Sequence, residues 1–119
     1  AELLQSHVIS IADAFNLPDS ANVLDLYCGS GFFTLPLSKK YKNTYGVESV
    51  KSAIDDANEN AQLNNLHANF ICAPAETIRI SDYAPEFVLV DPPRAGLHPK
   101  VINDLLTARP MYHANTKSF

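Results

Sequence analysis

The sequence predicts an α/β fold with a mostly parallel sheet, because short apolar strand patterns alternate with helical patterns along the chain. Two further observations support this fold class. The segment 87–90, Phe-Val-Leu-Val, lacks polar alternation, which is typical of a parallel strand covered on both faces. Acidic or glycine-rich segments follow the predicted strands, and ligands bind beyond the carboxyl ends of strands in open parallel sheets.

The 119 residues show no shift in composition and fit one domain. We predict a leading helix in residues 1–16, a core in residues 17–108 and an atypical or truncated tail in residues 109–119. No apolar run approaches the roughly 18 residues of a membrane span, and the chain starts without a signal-peptide pattern. We therefore expect no membrane association and a cytoplasmic location. Because the first residue is not Met and already lies within a helical pattern, we also expect a fragment or excised domain.

Charge and cysteine content narrow the possible partners. The net charge is −4, with 13 acidic and 9 basic residues, the opposite of the basic surface expected of a domain that binds nucleic acid by itself. An RNA or DNA partner would therefore be bound mostly by regions outside this chain. The two cysteines, Cys28 and Cys72, form no CxxC metal pair, so no metal site is predicted.

The first half of the chain contains two helices and one strand. Apolar residues recur at helical spacing from residue 4 to residue 15, until residues 16–18 stop the pattern. Residues 23–27 form a short apolar strand that leads into a glycine loop. Residues 33–40 form the helix that leaves this loop, and they tolerate Pro36 because it falls in or near the first turn.

A second strand covers residues 45–47, and Glu48 stands at its carboxyl end. The next helix, residues 50–63, begins after Ser49, which is a plausible N-cap residue. Residues 69–72 are a third strand.

The fourth strand is residues 87–90, and a last helix runs from Pro99, at a favoured first-turn position, to residue 106. Strand and helix thus alternate at least three times without a repeat, as in a Rossmann-like sheet. Candidate ligand-binding segments follow four strand ends: residues 27–32, Glu48, residues 75–76 and residues 91–94.

The glycine loop contains only part of the dinucleotide-binding pattern GxGxxG. Gly29 and Gly31 match its first two glycines, but residues 32–34 are Phe-Phe-Thr, and the third glycine is missing. A nicotinamide-binding domain is therefore disfavoured, and a ligand without phosphates fits the loop better.

Glu48 follows Gly31 by 17 positions, at the next strand end, where a carboxylate can accept hydrogen bonds from both hydroxyls of a ribose. A glycine loop for an amino-acid tail and an acid for a ribose together describe S-adenosylmethionine. The alternative is that Gly29 and Gly31 only shape a turn and that Glu48 is a solvated charge at a helix N-terminus.

Several segments resemble the RNA 5-methyluridine methyltransferases, which use S-adenosylmethionine to methylate carbon 5 of uridine in tRNA or rRNA. These segments are LDLYCGSGFFTLPLS, YGVE, AIDDANENAQLNN, APAE and VLVDPPRAGL. The resemblance extends from about residue 1 to residue 106. DPPRAGL is the specific element, because methyltransferases that act on amino groups usually carry an aromatic residue where Arg94 stands. The resemblance implies a class I methyltransferase sheet, incomplete here at its C-terminal strands.

The family resemblance also implies a set of cofactor-binding residues, which would be Tyr27, Gly29, Gly31, Phe32, Glu48, Glu76 and Asp91. Tyr27 and the two glycines would line the methionine end of the cofactor, Glu48 would hold the ribose and Glu76 would lie near the adenine. Phe32 stands where some members of the family have Asn, which would remove a polar contact.

On the substrate side, the resemblance implies that Asp91 lies between the cofactor and the target base, and that Arg94 contacts or shapes the substrate site. The alternative for Arg94 is a local ion pair with a carboxylate such as Asp91.

Methylation of uracil carbon 5 needs a thiolate that attacks carbon 6 and a base that removes the proton from carbon 5. In the family the cysteine lies in an SCNP-like segment after the DPPR helix, and an alignment of residues 113–116 to it places Ala114 at the nucleophile. Cys28 sits in the predicted cofactor loop and fits better as a small buried side chain. We therefore predict no catalytic residue in this chain, which alone would not methylate RNA. The alternative is a non-catalytic scaffold that kept the pocket and lost the thiol.

Overall fold

A five-stranded parallel sheet with helices on both faces forms the centre of the computed structural model, which describes residues 2–108 and 112–115. The strand order is β3-β2-β1-β4-β5, and every neighbouring pair is parallel. The strands are β1 (Asn22–Leu26), β2 (Asn43–Glu48), β3 (Asn69–Cys72), β4 (Phe87–Val90) and β5 (Tyr112–Asn115). The helices are α1 (Glu2–Ala14), α2 (Thr34–Ser38), α3 (Lys51–Leu63) and α4 (Pro99–Ala108), with 3₁₀ turns at Ala75–Thr77 and Ile80–Tyr83. The predicted α/β fold with a parallel sheet is confirmed.

The two faces of the sheet form two separate apolar clusters, because successive side chains of a strand point to opposite faces. Val23 of β1 and Leu89 of β4 belong to a cluster with Val8 of α1 and Leu37 of α2. On the other face, the cluster consists of Leu24, Leu26, Val47, Val88, Val90, Ala75, Ile80 and Val101, the last of these from α4. All four residues of β4 are buried, which explains its uninterrupted apolar sequence.

The tail contains a strand that the sequence analysis did not predict. Within the segment predicted as an atypical or truncated tail, β5 pairs with β4 in parallel, with Leu89 opposite Ala114 and Val90 opposite Asn115. The sequence analysis missed this strand because Tyr-His-Ala-Asn is too short and too polar to show a strand pattern. Residue 1 and the rest of the tail, residues 109–111 and 116–119, lie outside the described residues, and the division of the chain at residues 16 and 108 stays a prediction.

The start of α3 also differs from the expectation. Ser49 is not the N-cap residue: the helix begins at Lys51, after Val50 in an extended conformation, and no side chain caps it. The amide of Val50 instead donates to Glu48 Oε2 at 3.0 Å. The carboxylate at the end of β2 therefore takes the position beside the helix start that we had given to the serine.

Candidate functional site

The loop between β1 and α2 is a compact turn with an open side. Tyr27, Gly29 and Gly31 all have positive φ, of 61°, 56° and 91°. A side-chain carbon added to Gly31 would lie 3.3 Å from Leu35 Cγ, so Gly31 allows the loop to pack closely against α2. At Gly29 the same carbon would meet no atom within 4 Å. Gly29 therefore faces open space in which a ligand can approach the backbone.

Glu48 connects this loop to the next strand end. Its Oε1 accepts a hydrogen bond from the Gly29 amide and its Oε2 accepts one from the Val50 amide, both at 3.0 Å. The Cys28 amide adds a bond to the Val47 carbonyl at 3.0 Å. Since an ionised carboxylate offers about four acceptor positions, Glu48 can still accept from two further donors. Glu48 is thus near a helix N-terminus, as in the simpler interpretation, but it also holds the glycine loop.

Asp25 is a buried acid beneath the loop that the sequence analysis did not single out. Its side chain has no solvent exposure, and its Oδ2 accepts a hydrogen bond from Thr34 Oγ1 at 2.6 Å. Within the part of the chain that the structure describes, its Oδ1 has no hydrogen-bond partner. Burial raises the pKa of Asp25 to about 7, and the negative charges of Asp91 and Glu48 add to this effect, whereas the bond from Thr34 opposes it.

A signal for Asp25 was present in the sequence. It is the only charged residue in the strand Asn-Val-Leu-Asp-Leu, at a position where a solvent-exposed acid would interrupt a strand covered on both faces. An acid at such a position needs either a polar partner or a protonated state.

Asp91 and Arg94 lie in the segment that follows β4. The Asp91 amide donates to the Leu26 carbonyl at 3.3 Å, so the exposed Asp91 extends the pairing of β4 with β1 by one residue. Arg94 is exposed in a turn closed by a bond from the Gly96 amide to the Pro93 carbonyl at 2.9 Å. The strand end of β4 and the glycine loop after β1 are therefore neighbours at one edge of the sheet.

Tyr27 and Glu76 form the third part of this edge. Burial raises the pKa of Tyr27, the charge of Glu76 raises it further, and a hydrogen bond with the backbone of His98 opposes the shift. The phenol of Tyr27 thus lies near both the 3₁₀ turn after β3 and the segment before α4. Four strand ends contribute to one edge, as the sequence analysis expected.

Phe32 is an exposed aromatic residue of the glycine loop. Its ring is 40% exposed and packs edge-on against Phe33, with the centroids 4.9 Å apart. Together with Ser30 and Gly31, it lines a cleft between α2 and α3.

The two cysteines lie in different environments, one buried and one exposed. Cys28 is buried, and burial raises the pKa of its thiol, with the charges of Asp25 and Glu48 adding to the effect. Cys72 is exposed at the end of β3, an edge strand. Ala114, at the position aligned with the nucleophile of the family, lies in β5.

None of the described helices is long and apolar enough to cross a membrane. The described side chains also include no group of three or more His, Cys, Asp or Glu that could hold a metal ion. The cytoplasmic location stays a prediction.

Known proteins resemble this chain in sequence and in fold. A family described as a methyltransferase domain matches residues 23–105. An uncharacterized RNA methyltransferase of Chlorobaculum tepidum is 37% identical over 92% of this chain and 24% of its own length. A tRNA (uracil(54)-C(5))-methyltransferase of Pyrococcus furiosus is 41% identical over 73% of this chain and 21% of its own length.

Among solved structures, the tRNA (uracil-54, C5)-methyltransferase of Pyrococcus abyssi, in complex with S-adenosyl-L-homocysteine, has a TM-score of 0.71 and 31% identity. The match covers 94% of this chain and 29% of the Pyrococcus abyssi chain. The five-stranded sheet is therefore a partial one. The chain spans about a quarter of the length of the curated relatives it matches. S-adenosylmethionine, the cofactor expected from the sequence, is supported by these findings. From residue 23 to residue 105 the match extends over most of the chain, which therefore belongs to the family of methyltransferase domains.

Proposed function

We propose that this chain is the S-adenosylmethionine-binding part of an RNA methyltransferase that modifies carbon 5 of uridine in tRNA or rRNA. The observation that supports it most is the pair of bonds by which Glu48 joins the glycine loop to the start of α3. The names of the relatives and the segment Asp91-Pro-Pro-Arg94 favour RNA and uracil as the substrate.

The residues at the sheet edge fit this cofactor. The open side of Gly29 leaves room for a ligand beside the backbone, and the remaining acceptor positions of Glu48 can receive two ribose hydroxyls. Glu48 and Asp91 together make the edge negative, which favours a ligand that carries a sulfonium and an ammonium group. When bound, S-adenosylmethionine supplies an electrophilic methyl group.

Roles for the remaining residues follow from their positions. Tyr27 and Gly31 support the loop at the methionine end, and Glu76 lies near the phenol of Tyr27, on the side proposed for the adenine. Phe32 contributes its backbone to the loop and also lines the cleft between α2 and α3. Asp91 and Arg94 follow β4 on the side proposed for the target base.

The chain by itself lacks an obvious source of the thiolate and the base that this chemistry needs. Cys28 is buried below the loop, and its thiol is held in the neutral form. We therefore propose that both groups come from other parts of a longer enzyme and that the RNA is bound mostly outside this chain. Nothing favours the alternative, a non-catalytic scaffold with the same pocket, over this proposal.

A calorimetric titration with S-adenosylmethionine tests the cofactor site. We expect saturable binding by the chain and at least tenfold weaker binding by Glu48→Ala. Glu59→Ala removes a carboxylate of the same type from the exposed surface of α3 and serves as the matched control. Equal affinity of the chain and Glu48→Ala, or no binding by a chain that circular dichroism finds folded, would count against the proposal.

Transfer of tritiated methyl groups tests whether the thiolate and the base come from outside this chain. We expect no transfer from S-adenosylmethionine to uridine carbon 5 in tRNA or rRNA by the 119-residue chain. Transfer by this chain would mean that it supplies the thiolate and the base itself.

A further inference from the structure

A concave site lies beside the glycine loop, between α2 and α3. We call it the α2–α3 cleft, and it has a volume of about 340 Å³. It is lined by Gln5, Ser30, Gly31, Phe32, Leu35, Pro36, Lys39, Asn60, Asn64 and Leu66. This volume falls at the lower end of the roughly 300–1,000 Å³ typical of small-ligand sites.

The polar side chains of the cleft are mostly amides, which can pair with the edge of a nucleobase. Asn60 lies in the last turn of α3, Asn64 is the C-cap residue of that helix, and Gln5 reaches the cleft from α1. The Nδ2 of Asn64 donates to the backbone carbonyl of Asn60 at 2.7 Å. The side-chain oxygen of Asn64, Oδ1, is left as an acceptor. The Nε2 of Gln5 donates to the Phe32 carbonyl at 2.6 Å and thereby holds the glycine loop at the cleft.

The α2–α3 cleft is also lined by an aromatic residue, Phe32, and a cationic one, Lys39. The exposed ring of Phe32 offers a surface on which a base can stack, since stacking on aromatic side chains is a common way to bind unpaired bases. Lys39, the C-cap residue of α2, is exposed and forms no ion pair within the described residues. The neighbouring Lys40, in contrast, is bound to Asp13 at 2.8 Å.

The sign of the charge distinguishes this cleft from a nearby one. The described lining of the α2–α3 cleft contains Lys39 and no carboxylate, although the chain as a whole is acidic. The other cleft on α3 is lined in part by Asp55 and Glu59, which would repel a phosphate. Of the two concave surfaces, only the α2–α3 cleft combines an aromatic ring, amides and a positive charge.

We propose that the α2–α3 cleft binds one unpaired nucleotide of the RNA substrate, with its base on Phe32, its edge against the amides and its phosphate near Lys39. This inference rests on the proposed function in one respect, the identification of RNA as the source of the nucleotide. It would give an acidic domain a local contact with RNA next to the cofactor loop.

Nuclear magnetic resonance titration of the chain with uridine 5′-monophosphate tests the site. We expect saturable shifts of the side-chain amide signals of Asn60, Asn64 and Gln5. Lys39→Gln should weaken the binding of the monophosphate at least threefold and leave the binding of uridine unchanged, because only the phosphate lies near Lys39. A uridine trinucleotide should bind at least as tightly as the monophosphate.

Asn60→Asp should weaken nucleotide binding at least fivefold, because it replaces an amide in the cleft by a carboxylate. Asn58→Asp is the matched control: it makes the same change on the same helix, but its side chain lines the other cleft. Equal losses for both variants would mean that only net charge matters and would overturn the proposal.

Two other results would also overturn it: no shift of the cleft amides, or failure of the trinucleotide to bind, which would exclude RNA as the occupant. The affinity for S-adenosylmethionine is measured separately and should not change in Asn60→Asp. Binding of S-adenosylmethionine without binding of a nucleotide would overturn only the proposal for the cleft. Binding of a nucleotide without binding of S-adenosylmethionine would overturn only the proposed cofactor site.

Discussion

The amide of Gly29 donates a hydrogen bond to Glu48 Oε1 at 3.0 Å, so the carboxylate at the end of β2 holds the loop that follows β1. The other oxygen of Glu48 accepts from Val50, the residue before α3. One side chain therefore fixes both the loop and the start of the helix. A negative charge at this position is also favoured by the partial positive charge of the helix N-terminus.

Replacement of Glu48 should loosen the loop even without cofactor. In Glu48→Ala both amides lose a charged acceptor, and we expect faster hydrogen exchange at Gly29 and Val50 and a loss of about 1–3 kcal/mol in the free energy of unfolding. Glu48→Gln keeps one carbonyl acceptor without the charge. Its exchange rates and its free energy of unfolding should therefore lie between those of the parent and those of Glu48→Ala. Unchanged exchange at Gly29 in Glu48→Ala would mean that the bond does not hold the loop in solution.

Asp25 should make stability depend on pH. Its pKa is raised from 3.8 to about 7 in the folded chain, chiefly by burial, so between these values the folded state holds a proton that the unfolded state has released. The contribution of Asp25 to the free energy of unfolding should therefore fall as pH rises from about 4 to about 7, by on the order of 4 kcal/mol in total. It should change little above pH 8.

Asp25→Asn isolates this contribution, because the amide has a similar shape and does not titrate. Urea unfolding of both proteins at several pH values between 4 and 8 gives the difference in their free energies of unfolding. We expect the variant to gain stability relative to the parent as pH rises. Parallel pH profiles would show that the buried carboxyl is not protonated in the folded chain.

The two thiols should react at very different rates. Cys72 is exposed, whereas Cys28 is 7% exposed and burial raises the pKa of its thiol. With a disulfide reagent at pH 8, we expect one rapid equivalent from the folded chain, absent in Cys72→Ser and retained in Cys28→Ser. The second equivalent should appear only on unfolding. Reaction of Cys28 as fast as Cys72 would show that the loop opens.

Two strands could be predicted residue by residue from the sequence pattern. The limits of β3 and β4 are those expected from the sequence, and Glu48 lies at the end of β2 as predicted. These features depend on apolar runs and on strand direction, which are local or fixed by the parallel topology.

What the sequence could not provide depends on atoms from distant segments. The carboxylate of Asp25 accepts its hydrogen bond from Thr34 on α2. The amide of Val50 donates to the carboxylate of Glu48 rather than to the adjacent Ser49. The four residues of β5 are a strand because β4 offers a pairing edge, and their own pattern contains no such signal. In each case tertiary contacts override the local preference.

Gly46 should be hard to replace, because the loop lies directly on it. It is opposite Asp25 in the pairing of β2 with β1, and a side-chain carbon there would lie 2.8 Å from Cys28 Sγ and 3.0 Å from Phe70 Cδ1. Gly46→Ala would therefore force the loop or the Phe70 ring to move, and we expect a loss of about 1–3 kcal/mol in the free energy of unfolding. Urea unfolding measures this loss.

The double variant Gly46→Ala with Cys28→Ala tells which contact causes the loss. Removal of the sulfur should make Gly46→Ala at least 0.5 kcal/mol less costly than in the parent, a coupling of about the size found for side chains in contact. Rescue should be partial, because Phe70 remains at 3.0 Å. Strictly additive losses would instead place the conflict at Phe70. Partial rescue would mean that the small residue in β2 sets how closely the glycine loop approaches the sheet, and hence how far Gly29 lies from Glu48.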